Sequence, residues 1–241
     1  MGLNLTIDQG NSSVKIAIWD GSALVDEETA RELSRQQLAR IVDRFHPARA
    51  LCCSVTGNGD RYVQWLTAMG LSARQVSSDM PLPVKIGYTT PQTLGSDRIA
   101  AAVGACSLLP GENLLVVDMG TAVTYDHVNA DGVFVGGNIA PGIGMRLRSL
   151  HNFTARLPQI DGYGDIPLFG HDTATAMRAG AVRGVVAEIS YYRSQLPTQT
   201  KVVLTGGWAA HVSKFLDFPV TVDKCLVTKG LLSILLYNEN K

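Results

Sequence analysis

The sequence carries no surplus charge: 21 lysines and arginines balance 21 aspartates and glutamates. Nothing therefore draws the whole chain to nucleic acid or to an anionic membrane, and any anion site must be local. No apolar run approaches the ~20 residues needed to span a bilayer, and the N-terminus reaches Asp8 before a signal-like apolar core can form, so a cytoplasmic protein with no membrane partner is expected. The four cysteines, Cys52, Cys53, Cys106 and Cys225, show no C-x-x-C spacing. That argues against a zinc site or a disulfide framework and for buried free thiols, with Cys52 and Cys53 on opposite faces of a strand. The histidines His46, His127, His151, His171 and His211 form no spaced cluster, and no low-complexity segment or flexible linker interrupts the chain. What remains is 241 residues, 46% of them hydrophobic, enough for one large core or for two lobes.

The organising feature is a turn that occurs twice. Leu114-Leu115-Val116-Val117 reads as a buried strand, and the chain then turns at Asp118-Met119-Gly120-Thr121 before a second β-favouring run. Gly120 lets ligand oxygens approach the backbone, Thr121 offers a hydroxyl, and Asp118 can hold a cation or a water. The N-terminus has the same form: a strand from Leu3 to Ile7, then Asp8-Gln9-Gly10-Asn11-Ser12-Ser13, then Val14 to Trp19. Either turn alone is equally well an ordinary hairpin. Two of them with matching chemistry favour two lobes, residues 1–111 and 112–241, whose turns face one cleft and share a nucleotide.

The rest of the chain fits that division. A third strand at Ala23-Leu24-Val25 makes the first hairpin a meander. Leu38, Ile41, Val42 and Phe45 recur at helical spacing, Ala50 to Val55 reads as a strand, and a short helix is expected between Asp60 and Gly70. Proline and glycine mark 79–94 as a long ordered loop of the kind that often carries sites. Gly95-Ser96-Asp97-Arg98 then opens a helix of small residues that ends at Pro110-Gly111. In the second half the meander recurs, with a third strand at Val133 to Ile139. A helix runs through Met145, Leu147 and Leu150, and a long Ala-rich helix capped by Asp172 extends to about Gln195. A strand at Lys201 to Thr205, a helix from Trp208 to Leu216, a strand at Val220 to Val222 and a last helix through Leu231, Ile234 and Leu235 complete it.

Several residues admit two readings. Asp97 is either a helix cap or a carboxylate that orients or deprotonates an attacking hydroxyl, with Arg98 either solvated or a charge partner. Gly206-Gly207 is either a tight turn at positive φ or bare backbone against a flat ring. Thr173 lies in a helix first turn suited to a polar or anionic ligand, or serves capping alone. Arg146, Arg148 and Arg156 form either a solvated helix face or a subunit contact.

Taken in order, these residues resemble the type III pantothenate kinases of the actin, sugar-kinase and Hsp70 superfamily. The family's D-x-G-N-T-x-x-K appears as Asp8-Gln9-Gly10-Asn11-Ser12-Ser13-Val14-Lys15, with Ser12 in place of Thr. Its G-x-D-R is Gly95-Ser96-Asp97-Arg98, and its D-x-G-T-A is Asp118-Met119-Gly120-Thr121-Ala122. Its G-G-x-I-x-P-G is Gly136 to Gly142, followed later by Thr205-Gly206-Gly207. The resemblance implies an α/β fold of two ribonuclease H-like, actin-like ATPase lobes with mixed sheets around a nucleotide cleft. It implies ATP-dependent phosphorylation of pantothenate, the first step towards coenzyme A, by a homodimer using magnesium and potassium or ammonium. It places ATP phosphates at Asp8 to Lys15 and Thr121, the monovalent cation at Asp118, and pantothenate at Tyr88, Gly95, Ser96, Asp97, Arg98 and Thr173. Asp97 becomes the catalytic base. Asp8 is expected to hold magnesium, and Gly206 and Gly207 to touch adenine or ribose. The competing functions are a non-catalytic, nucleotide-binding accessory regulator of the same family and a kinase of the superfamily acting on a sugar or another small alcohol.

Overall fold

In the computed structural model, which describes residues 2–239, strand β1 (Asn4–Gln9) lies at the centre of a five-stranded sheet. It pairs antiparallel with β2 (Val14–Asp20), which pairs in turn with β3 (Ala23–Ala30). On its other side it pairs parallel with β4 (Arg49–Ser54), and β4 with β5 (Ser72–Gln75). The connections are α1 (Arg35–Phe45) and α2 (Gly59–Ala68). Helix α1 starts in a capping box, where Ser34 Oγ accepts from Gln37 N and the Gln37 side chain accepts from Ser34 N. It stops where His46 takes a left-handed conformation ahead of Pro47.

Alternation along β1 divides its side chains between two faces. Leu5 and Ile7 join Leu38, Ile41, Tyr62 and Leu66 in one core. Each such apolar side chain contributes about 1.5–3 kcal/mol when fully buried. Thr6 is on the opposite face, where its hydroxyl accepts from Trp19 Nε1 at 2.8 Å and so satisfies the one polar atom of that buried indole. Asp8 follows on the Thr6 face. Strand β6 (Lys85–Ile86) and a single 3₁₀ turn at Pro91–Thr93 break up the stretch 79–94, and α3 (Ser96–Leu108) comes next.

The second sheet repeats the first. Strand β7 (Leu114–Met119) is central, with β8 (Ala122–Val128) and then β9 (Val133–Pro141) on the antiparallel side. After α4 (Ile143–Asn152) and the 22-residue α5 (Thr173–Ser194), β10 (Lys201–Thr205) pairs parallel with β7. Helix α6 (Ala209–Val212) is shorter than the sequence suggests, because the chain tightens to a 3₁₀ turn at Ser213–Phe215 before β11 (Thr221–Val222) pairs with β10. The order β3-β2-β1-β4-β5 is thus matched by β9-β8-β7-β10-β11. The central strands share even their burial pattern, four buried residues and then a half-buried aspartate, Asp8 or Asp118. Leu115, Val117 and Met119 pack with Val182, Val185 and Ile189 of α5.

The closing helix, α7 (Leu226–Glu239), follows the second sheet in the chain but packs on α3 and on the first sheet. Gly104 and Gly230 permit this: a Cβ on Gly104 would strike Leu226 O, and one on Gly230 would strike Ala100 O. Leu232 then covers Ala17 and Trp19. By contacts, the described residues of Met1–Gly111, Ala130–Val135 and Cys225–Lys241 form one compact unit, and Glu112–Asn129 with Gly136–Lys224 the other. No helix among the described residues is long and apolar enough to cross a membrane.

Candidate active site

In the first unit, the parallel register of β1 and β4 sets Asp8 opposite Cys53, and the Cys53 thiol donates to Asp8 Oδ1 at 3.3 Å. Lys15 is the antiparallel register partner of Asp8 on β2. Burial pushes the Asp8 pKa above its ordinary 3.8, while the Cys53 hydrogen bond and the Lys15 charge pull it down and the Asp97 charge pushes it up again. Two carboxylates, Asp8 and Asp97, therefore share one electrostatic environment. Cys53 responds to both: burial and then the charges of Asp8 and Asp97 hold its pKa well above 9.0, so it stays a thiol. Cys52, on the opposite face, is pushed up to about 12 by burial alone.

The turn after Asp8 closes with Gly10 N donating to Ser13 O at 3.0 Å and leaves Asn11 and Ser12 exposed. A cavity of about 810 Å³ opens beside it, with Arg31 and Arg61 in its wall. The chain itself does not need glycine here. A Cβ on Gly10 would stand 3.6 Å from Ser13 O, and one on Gly120 would stand 3.8 Å from Ala122 O, both ordinary contacts. A glycine at these positions leaves the space outside the chain clear of a Cβ.

Asp97 lies in the first turn of α3, after the N-cap Gly95, and accepts from Arg98 N at 2.9 Å. A Cβ on Gly95 would collide with the Asp97 carboxylate, so that glycine serves the aspartate. Arg98 is 6% exposed, and its guanidinium lies over the rings of Tyr88 and Phe134 at 5.8 and 5.6 Å. A buried cation between two aromatic faces is not a solvated arginine. Tyr88 meets Phe134 edge-on at 6.1 Å, and Gly87 N bonds Phe134 O at 2.9 Å. Phe134 and Cys53 belong to this site without having been found in the sequence. Phe134 reaches it through the pairing of β6 with β9, and Cys53 through strand register, which no local motif announces.

In the second unit, Asp118 occupies the place on β7 that Asp8 holds on β1. Gly206 stands at φ +87°, and a Cβ there would lie 2.5 Å from Asp118 Oδ1 and 2.6 Å from Met119 O. The tight-turn reading therefore accounts for Gly206. Gly207 has open space where its Cβ would be, which leaves its backbone bare to a ligand. Gly142 N donates to Thr121 O at 3.0 Å, so Pro141-Gly142 presses against the Gly120–Thr121 turn. Thr205, the register partner of Asp118, has a buried hydroxyl with no hydrogen-bond partner among the described residues.

Thr173 is exposed at the start of α5, where Asp172 Oδ1 accepts from Thr175 N at 2.8 Å. Hydrogen bonds from the Thr175 backbone and hydroxyl lower the Asp172 pKa. The helix end is thus capped by the protein's own Asp172 carboxylate with Thr175, and the exposed Thr173 side chain lies outside that cap. Arg146 is not a solvated arginine: it is paired with Glu188 on α5.

The two repeated sheets define the mixed α/β fold of actin-like ATPases and sugar kinases. Among solved structures, a conserved protein of Campylobacter jejuni assigned to the Baf family of transcriptional activators superimposes with TM-score 0.67 at 22% identity, over 98% of this chain and 100% of that one. Within that fold the motifs select one family. The model for type III pantothenate kinase matches residues 4–195. A type III pantothenate kinase of Phocaeicola vulgatus is 40% identical over 98% of this chain and 99% of its own length, and that of Azobacteroides pseudotrichonymphae is 38% identical over 98% and 97%. The chain belongs to the type III pantothenate kinase family.

Proposed function

We propose that this protein transfers the γ-phosphoryl group of ATP to the hydroxyl of pantothenate, the first step towards coenzyme A, with Asp97 as general base. The observation that carries this reading is the Gly95–Arg98 segment in its surroundings: a carboxylate beside a buried arginine, which Tyr88 and Phe134 hold in place. Pantothenate has a carboxylate for Arg98 to anchor and a hydroxyl for Asp97 to receive. The hydroxyl oxygen attacks the γ-phosphorus, its proton passes to the Asp97 carboxylate, and the bond to the β,γ-bridging oxygen breaks as ADP leaves. Phosphoryl transfer needs positioning and charge stabilisation more than a strong base, so a well-placed carboxylate suffices.

Phosphate contacts are assigned to the turn from Asp8 through Gln9, Gly10, Asn11, Ser12, Ser13 and Val14 to Lys15, and to Thr121. Gly206 and Gly207 are assigned to adenine or ribose. Pantothenate takes Tyr88, Gly95 to Arg98 and Thr173. Among the described residues no three His, Cys, Asp or Glu side chains converge to hold a metal. The Asp8 carboxylate fits magnesium, a hard cation that takes one or two carboxylates and keeps phosphate and water as its other ligands. When bound, the ion would offset charge on the phosphates. Potassium or ammonium fits Asp118, because the unpartnered Thr205 hydroxyl beside it is a further oxygen. A homodimer working in the cytoplasm completes the proposal. The dimer is supported by exposed apolar side chains of the second unit, Phe153 at 87% and Phe169 at 85% among them, which a second copy would cover.

The test is ATP turnover with pantothenate set against a panel of sugars and small alcohols. Turnover specific to pantothenate is expected. Equal or better turnover with a sugar would point to the wider superfamily, and nucleotide binding without turnover on any acceptor would point to a regulator.

A further inference from the structure

The Gly120–Thr121 turn is braced from behind by a network that lies wholly within the second unit. Glu188, on α5, receives both the Tyr125 hydroxyl and the guanidinium of Arg146, whose Nη2 lies 2.8 Å from Oε1 and 2.6 Å from Oε2. The same guanidinium uses Nε to donate to Pro141 O at 2.7 Å. Gly142 follows, and its N donates to Thr121 O at 3.0 Å. There is no slack in this contact, because a Cβ on Gly142 would lie 2.5 Å from Gly120 O. Arg146 is also confined from α5, since a Cβ on Gly184 would stand 3.0 Å from its Nη1. Tyr125 is 2% exposed, and the side chains of Arg146 and Glu188 are 19% and 33% exposed. These are charge-assisted bonds shielded from much of the solvent. One planar cation thus ties α5, through Glu188, to the peptide that presses on the turn.

We propose that Arg146, Glu188 and Tyr125 are positioning residues that hold the Gly120–Thr121 turn in the geometry that receives ATP phosphates. The proposal rests on the assignment of that turn to phosphate. An arginine is required because only its fork reaches a carboxylate and a carbonyl at once; lysine offers a single point of charge. The tyrosine hydroxyl donates to Oε2 of the same carboxylate, so Arg146 finds its partner already oriented.

The experiment is steady-state kinetics on the full chain with each substrate varied in turn, direct ATP binding, and thermal melts, on Arg146→Ala, Arg146→Lys, Glu188→Gln and Thr121→Ala. A displacement of the order of 1 Å in a positioned group costs about 10²-fold, so Arg146→Ala should lower kcat/KM for ATP by about that factor. The KM for pantothenate should stay near its original value. Free guanidinium ion at low concentration should restore much of the loss, and Arg146→Lys should not. Glu188→Gln, which keeps the shape of the side chain, should show the same ATP-selective loss to a smaller degree. Equal losses for both substrates together with a lowered melting temperature would mark the network as merely structural and overturn the proposal. Thr121→Ala separates the two claims. Weakened ATP binding in that variant beside normal ATP kinetics in Arg146→Ala would keep the phosphate assignment and overturn the bracing. Normal ATP binding in Thr121→Ala would remove the assignment, and with it the proposal, even if Arg146→Ala were impaired.

Discussion

Burial raises the pKa of Asp8, and the Cys53 thiol and Lys15 offset only part of that. The folded state thus holds a proton on Asp8 more tightly than the unfolded chain does. The favourable contribution is fully present below the unfolded pKa and is lost as pH rises through the raised folded value. Above that value the ionised, buried carboxylate is a liability to the ligand-free fold. Asp8→Asn should therefore abolish most turnover while leaving the ligand-free melting temperature at pH 7 equal to or above that of the wild type. A lowered melting temperature would show that Asp8 is held for the fold. Asp97→Asn keeps the shape of the side chain and an oxygen for Arg98 N but cannot take a proton; turnover should fall roughly 10²–10⁴-fold, with ATP affinity retained in a direct binding assay. Thr205→Val exchanges a buried, unpaired hydroxyl for a methyl of the same shape. It should cost little stability or even gain some, since an unsatisfied polar group is removed. The potassium concentration for half-maximal activity should rise; an unchanged value would separate Thr205 from the cation.

Among the elements, the crossing of α3 and α7 reverses an ordinary rule. Alanine normally stabilises a helix interior over glycine by about 0.5–1 kcal/mol. At Gly230 the added Cβ would meet Ala100 O and Gly104 N. Gly230→Ala should instead destabilise by roughly 1–3 kcal/mol, as overpacking does, and a denaturant titration reads the sign directly. Elements with their own periodicity were legible in the sequence, the two hairpins and the stripe Leu38, Ile41 and Val42 among them, because each buries one face in a regular pattern. Strand β5, with no alternation strong enough to announce it, and the two-residue β6 were not; both exist through pairing with a neighbour already in place. The site divides in the same way. Asp8, Asp97 and Asp118 could be found from motifs, whereas Cys53, Phe134 and the Arg146–Glu188 pair depend on register and on contacts between distant segments. The small residues of α5 divide between two faces: Ala179 and Ala181 belong to the core, while Ala176 and Gly180 are exposed.

For the molecule as a whole, that exposed α5 face continues through Ala187 to Tyr191, which is 60% exposed. If a second copy covers it, light scattering will report twice the 25.8 kDa of one chain. Gly180→Arg should then halve the mass. The variant should still fold, because a Cβ at that position meets nothing within 4 Å among the described residues. A mass of one chain for the wild type would contradict the dimer.

The return of α7 to the first sheet bears on the order in which the protein is made. Ala17 and Trp19 wait for Leu232, and Gly104 waits for Gly230. On a ribosome the first unit therefore cannot finish when its own sheet has emerged; it must hold an uncovered apolar surface while the whole second unit is synthesised. Its completion comes only with the 14 residues of α7. A nascent chain stalled before α7 should be open to protease in the first unit while already protected in the second, the reverse of N-to-C order.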